Sequence, residues 1–314
     1  MKRIIPLLLT FTLLLTFGLA QADEDVLRIV AMKGPTGMGM VKLMSEEDPA
    51  YTFEIASDIT LVTPMVVKGE VDIAAVPANI AAVLYNNPDV DVQVLCVNTL
   101  GVLYIVENGD TVHSVEDLAG RTIYGSGAGA TPEYALNYIL QSAGVDADIE
   151  WKSEHTECLA ALLNSENGLA MLPQPFVTTA LMQNPDLRVA LSMTEAWDAL
   201  QEGVENPSML LTGVLIVRKE VADAHPEMVN TFMEKYAVSV AWVNDNVDEA
   251  AVLVGQYGIV PEAVARQAIP ACNIVCIEGD EMISALGGYL SVLYDQNPKA
   301  VGGVLPDEGF WYLK

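Results

Sequence analysis

Six short segments carry the residues whose types and spacing suit the capture of a small polar molecule. They are Lys33–Gly37, Ser57-Asp58, Pro77-Ala78-Asn79, Ser126–Thr131, Glu154-His155-Thr156 and Pro173-Gln174-Pro175-Phe176. Gly34-Pro35-Thr36-Gly37 and Gly127-Ala128-Gly129-Ala130-Thr131 each lead into a helical pattern. Backbone N–H groups at a helix start point outward with partial positive charge, and glycine allows a ligand close to the main chain. A carboxylate, a sulfonate or another acceptor suits either segment. Asn79 and Gln174 can each donate and accept, as an amide or heterocycle edge requires. Phe176 offers a ring face. Asp58 and Glu154 sit at equivalent positions and suit a cationic group, or simply water. The candidate ligand residues are therefore Gly34, Thr36, Gly37, Asp58, Asn79, Ser126, Gly127, Thr131, Glu154, Gln174 and Phe176. Lys33 and nearby Lys152 are the basic side chains of this set. A strong anion site usually recruits Arg or Lys, which tilts the expectation slightly towards a neutral or zwitterionic organic molecule.

Catalysis has one candidate, His155 beside Glu154. Adjacent strand residues point to opposite faces and make a poor acid–base pair, so no catalytic residue is expected. The three histidines, His113, His155 and His225, are scattered, and no metal or cofactor is expected. Cys96 lies in the apolar run VQVLCV and reads as a buried strand residue; Cys272 and Cys276 are close enough to bridge if the chain turns between them.

These segments are positioned by a duplication at a spacing of about 96 residues. DIAAVPANIAAVLYNNPDVDVQVL, from Asp72, matches GLAMLPQPFVTTALMQNPDLRVAL, from Gly168, with one residue of gap. LRIVAMKGPTG (from Leu27) matches RTIYGSGAGAT (from Arg121), and YTFEIASD (from Tyr51) matches DIEWKSEH (from Asp148). Each copy reads as four strands alternating with three helices, which argues for an α/β fold with two similar lobes and mainly parallel sheets. Ligands then sit beyond the carboxyl ends of the strands, where the six segments fall. Ser114-Val115-Glu116-Asp117 is a capping box, and Thr131-Pro132-Glu133 reads as cap, first-turn proline and acid. Beyond the second copy, LLTGVLIVRKE (from Leu210) is a strand. Helical patterns follow: Met228–Val243, VDEAAVLVGQYG, PEAVARQAI and MISALGGYLSVLYDQN.

The chain has 314 residues, a hydrophobic content of 52% and a net charge of −27. Such a surface repels phosphate backbones and anionic lipid, so nucleic acid is not expected as a partner. Lys2 and Arg3, an apolar run over residues 4–19, and Ala20-Gln21-Ala22 form the layout of a signal peptide cleaved after Ala22. The mature chain is expected free outside the cytoplasm, periplasmic or otherwise extracytoplasmic.

KGEVDIAAVPAN (from Lys68), SVEDLAGRTI (from Ser114), GAGATPEYALNYIL (from Gly127) and the region from PEMVNTF to EAAVLVGQYG resemble the periplasmic solute-binding proteins of ABC importers. The resemblance is to the branch for nitrate, sulfonates, taurine and thiamine-pyrimidine precursors. It implies the type II periplasmic-binding fold, with a small-molecule ligand held between two lobes joined by two hinge crossings. It also implies an ABC permease and its ATPase as partners, and a monomer. The family pattern sets residues 23–100 plus 214–314 as the first lobe and 101–213 as the second. The crossings then contain Thr99, Gly101, Thr212 and Gly213. A sensor that docks on a membrane receptor, or an exported enzyme of the same fold, are the competing readings.

Overall fold

Strands end where proline or a polar turn halts them, and helices start on the next residues, so each copy folds as a βα series. The structure is a computed structural model, and it describes residues 26–204 and 207–314. The expected signal peptide and its cleavage site lie outside the described residues. The first copy runs β1 (Leu27–Met32), α1 (Pro35–Met38), α2 (Val41–Met44), β2 (Tyr51–Ala56), α3 (Ile59–Lys68), β3 (Ile73–Pro77), α4 (Ala78–Tyr85) and β4 (Val92–Leu100). A crossing strand, β5 (Leu103–Glu107), precedes the second copy. That copy runs β6 (Thr122–Ser126), α5 (Thr131–Ala143), β7 (Asp148–Lys152), α6 (His155–Leu163), β8 (Leu169–Pro173), α7 (Phe176–Gln183), β9 (Arg188–Ser192) and α8 (Met193–Leu200). The chain returns through β10 (Leu211–Arg218), α9 (Lys219–Ala224), α10 (Pro226–Asp245), α11 (Val247–Gln256), α12 (Glu262–Ala268), β11 (Ile274–Ile277) and α13 (Gly279–Gln296).

The two sheets have matching orders. One is β11-β4-β10-β3-β1-β2; the other, written the same way round, is β9-β5-β8-β6-β7. The duplicated units pair alike: β1 runs parallel to β2 and β3, and β6 runs parallel to β7 and β8. The strand that enters each lobe from the other, β10 or β5, inserts between third and fourth strands and runs antiparallel to both. The sheets are therefore mixed; parallel pairing holds within the duplicated triplets. The copies differ most after their first strands. α5 has 13 residues, whereas the equivalent segment is broken into the one-turn helices α1 and α2. There the backbone is pressed between β1 and α10: a Cβ on Gly37 would lie 2.6 Å from the Met32 carbonyl oxygen, and one on Gly39 would lie 2.9 Å from Tyr236 Oη. The capping box forms at Ser114, with Asp117 closing it. Thr131 is not the cap of α5, since the helix begins on it and Ala130 holds the cap position without a side-chain bond.

A first core layer links the sheets, running from Val30 and Val76 through Leu286, Tyr289 and Leu293 of α13 to Ile123 and Leu136. α13 touches α4 and β4 on one side and α5 on the other. Of the stretch beyond residue 214, β10, β11 and α10 pack on the first sheet, whereas α13 leans on both. A second layer, with Phe232, Tyr236 and Val254, covers the other face of the first sheet, and a smaller one, with Cys158 and Leu162, covers that of the second.

Among the described residues, buried charge in the second lobe is confined to one bonded group. Glu107 is fully buried and accepts Thr111 N, Thr111 Oγ1 and Val112 N, with Arg188 Nη2 at 2.6 Å. Burial alone would raise its pKa; the bonds from Thr111 and Val112 and the Arg188 charge hold it below the ordinary carboxylate value. Arg188→Ala strands a buried carboxylate and is expected to cost about 3 kcal/mol of stability. Urea unfolding measures this, and a loss below about 1 kcal/mol would show that the backbone donors suffice alone.

Candidate functional site

Five of the six strand-end segments line one cavity of about 380 Å³ between the two sheets, and Ile59, which follows Ser57-Asp58, lines it beside the sixth. The first lobe contributes Met32–Thr36, Ile59, Pro77, Asn79 and Ile80; the second contributes Gly129–Pro132, His155 and Pro173–Phe176. Val102 and Thr212 line it from the two crossings. A larger open groove, about 840 Å³, runs along α5 and α13, but helix flanks rather than strand ends form most of it. The smaller cavity lies where α/β sheets present convergent polar groups.

Each helix that starts here does so because an extended strand stops at the sheet edge. First-turn residues of α3, α4, α5, α6 and α7 all line the cavity: Ile59, Asn79, Thr131, His155 and Phe176. Their N-terminal dipoles sum to a positive local field. Part of it is used internally, since Asp58 Oδ1 accepts Thr60 N at 2.7 Å and Glu133 Oε2 accepts Gly129 N at 2.5 Å. Among the described lining residues, Lys33 alone carries a full positive charge.

Gln174 is 6% exposed and is oriented by its own helix. Thr178 N donates to Gln174 Oε1 at 3.3 Å, and Thr178 Oγ1 does so at 2.8 Å. A backbone N–H can only donate, so the amide oxygen is fixed towards α7 and the NH₂ group is left as the donor available for a ligand. Asn79 Nδ2 instead reaches Ala300 O at 3.3 Å, which ties the α4 start to the C-terminal segment. Thr131 Oγ1 accepts from Tyr289 Oη at 2.8 Å, so its own proton can turn to a guest.

Gly34, Thr36, Asn79, Thr131, Gln174, Phe176 and Thr212 line the cavity. Gly34 has φ 107, a backbone angle that requires glycine, and its missing Cβ faces open space. Gly37, Asp58, Ser126, Gly127 and Glu154 lie behind the lining. Gly37 packs on β1, Asp58 caps α3, and Glu154 holds the cap position of α6. Gly127 has φ 90 against Pro132, and Ser126 is buried beneath His155, its Oγ 2.5 Å from His155 Nδ1.

Thr99 is fully buried in β4, opposite Gly213 of β10, and Gly101 follows that strand. The two crossing glycines are not in the left-handed region. They permit close approach instead: a Cβ on Gly101 would lie 2.3 Å from Thr194 Oγ1, and one on Gly213 2.4 Å from Thr36 Cγ2. Asn98 Nδ2 donates to Thr36 O at 3.2 Å, so the crossing strand holds a ligand-loop backbone directly.

His155 is the polar lining residue that loop chemistry alone did not select. Its ring sits 4.6 Å from that of Phe176. Burial lowers its pKa against the pull of Glu154, so it is neutral at neutral pH. The strand-end rule placed it in the right segment; the turn into α6, which aims its ring at the cavity, is not visible in the residue types. Cys158 lies behind, its thiol pushed up by burial.

Two lobes of equal topology, two crossings and a cleft at the strand ends define a periplasmic-binding type of substrate-binding protein. The chain belongs to the family of ABC transporter phosphonate periplasmic substrate-binding proteins, whose family model matches residues 43–253. Solved structures share the fold. An ABC transporter protein from Parabacteroides distasonis superposes with a TM-score of 0.78 at 22% identity, covering 92% of this chain and 99% of that one. The periplasmic aliphatic sulphonate binding protein SsuA from Escherichia coli gives 0.71 at 15% identity, covering 92% of each. The alkanesulfonate-binding protein SsuA from Xanthomonas axonopodis pv. citri, bound to MOPS, gives 0.62 at 15%, covering 90% and 95%. A search of curated proteins finds no match. Among the described residues, no helix is long and apolar enough to cross a membrane, and no cluster of His, Cys, Asp and Glu could hold a metal ion.

Proposed function

We propose that this chain captures a small organic sulfonate, or a similar molecule with one negative charge and an apolar body, and presents it to an ABC permease. The carrying observation is the pairing of five helix starts and neutral donors with one basic side chain at the cavity. A single charge spread over a tetrahedral group is matched by dipoles and hydrogen bonds; a doubly charged phosphonate calls for an Arg fork or several basic side chains, whereas the described residues of this wall supply Lys33 alone. Ile59, Ile80, Val102 and Phe176 supply apolar surface for the remainder of the ligand. The sulfonate and alkanesulfonate binding named for two structural neighbours supports the same class.

Closure of residues 23–100 plus 214–314 against 101–213, about the crossings that hold Thr99, Gly101, Thr212 and Gly213, then traps the ligand. The molecule acts as a monomer, exported and cleaved after Ala22. The state of the Ser126–His155 pair supports binding over catalysis. Ser126 is buried away from the cavity, and the Cys158 thiol is held protonated, so neither is a poised nucleophile.

A thermal-shift panel tests the reading. Alkanesulfonates, taurine, alkylphosphonates and pyrimidines are compared at one common concentration, where a ligand present at about a hundred times its dissociation constant adds about 2.7 kcal/mol. A sulfonate should stabilise most, with compaction in small-angle scattering. Stabilisation by phosphonates or pyrimidines alone refutes the ligand class; saturation without compaction refutes closure.

A further inference from the structure

Cys96 and Cys276 come from opposite ends of the sequence and meet on adjacent strands. β11 pairs antiparallel with β4, with Ile277 opposite Val97. Alternation along both strands sorts the side chains: Val97 and Ile277 face the layer that joins the sheets, while Cys96 and Cys276 both face the layer built with α10. The two cysteine side chains are neighbours in that layer, beside the buried ring of Tyr236. Cys272, the nearer cysteine in sequence, ends the turn before β11 and lies outside the strand. Cys158 belongs to the separate layer of the second lobe.

We propose that Cys96 and Cys276 form a disulfide in the exported protein, and that Cys158 and Cys272 stay reduced. An extracytoplasmic compartment is where such a bond persists. The oxidant is a protein disulfide of that compartment. One chain thiolate attacks it, forming a mixed disulfide and releasing one partner thiol; the second thiolate then attacks the mixed disulfide and releases the other. The chain loses two protons and two electrons, and the partner disulfide becomes a dithiol. Burial pushes the Cys96 thiol far above its ordinary value, so the folded protein reacts slowly and the bond must form as β11 docks during folding.

The position gives the bond a role. β11 is a four-residue strand at the sheet edge with an irregular register on β4. The residues leading into it brace the first crossing: Leu100 N donates to Asn273 O at 3.0 Å, and Asn273 Nδ2 donates to Gly101 O at 2.5 Å. A covalent tie across β4 and β11 fixes that brace next to the hinge.

Full chain exported by its host is unfolded in guanidinium with an alkylating agent, digested without reductant and mapped by mass spectrometry. Two of the four cysteines, Cys158 and Cys272, should be alkylated, and the Cys96 and Cys276 peptides should run as one cross-linked species. In Cys276→Ala, Cys96 should become alkylated as well, raising the free thiols to three. Four alkylated cysteines in the parent chain, or a Cys272–Cys276 cross-link, overturn the proposal. The readout needs no ligand, so it stands or falls apart from the sulfonate assignment.

Discussion

Gln174→Glu is expected to abolish capture of an anionic ligand while leaving the fold intact. The new carboxylate still accepts from Thr178 N and Oγ1, so the start of α7 keeps both bonds. The side facing the cavity changes from an N–H donor to a negative charge. Losing a hydrogen bond to a charged group costs about 2 kcal/mol. Like charges about 4 Å apart at an effective dielectric near 20 repel by about 4 kcal/mol. Together these weaken binding by more than about a thousand-fold, against about thirty-fold for Gln174→Ala. Calorimetry near pH 8 reads the difference directly. Because the carboxyl can be protonated, affinity in Gln174→Glu should return in acid. Unchanged affinity would mean that the ligand does not meet this loop, and tighter binding would mean that the ligand is a cation.

Affinity for a sulfonate is expected to rise as pH falls below about 6.5, the ordinary value for histidine. His155 lies below that value in the empty protein because burial disfavours its charged form. A bound anion beside the ring favours the imidazolium, so binding takes up a proton, and each unit by which the ligand raises the pKa adds about ten-fold in acid. Sulfonates do not titrate in this range, which leaves the change to the protein. Ser126 and the Phe176 ring contact it, Glu154 acts on its charge, and Lys33 lines the same cavity from the facing lobe. Stability of the empty protein runs the opposite way. With the folded pKa depressed, the unfolded chain takes the proton first, so the contribution of His155 is complete above about pH 6.5 and is lost as pH drops through the folded value. Ligand should therefore protect most in acid. His155→Asn should flatten both curves, and an unchanged affinity slope in that variant would remove His155 from the ligand.

The duplication, the strand-to-helix alternation and the proline-ended strands β3 and β8 were legible because each is encoded by neighbouring residues: periodicity, turn chemistry and capping need no distant partner. From them came two lobes of like topology and the strand-end segments at the cavity. The tertiary structure decided what local pattern cannot carry. β5 and β10 run antiparallel because each enters its sheet from the other lobe, a fact of connectivity between lobes. α13 joins both lobes because Tyr289 finds Thr131 across 158 residues. Gly37 and Gly213 serve close packing against Met32 and Thr36, and so set the shape of a loop whose composition suggested only a helix start. The direction of the Gln174 amide and the turn of His155 into the cavity depend on Thr178 and Ser126 in three dimensions. Chain segments declare what they are through local forces; which way a side chain faces at a site is settled by the contacts it makes once folded, to a residue one turn on for Gln174 and to another strand for His155.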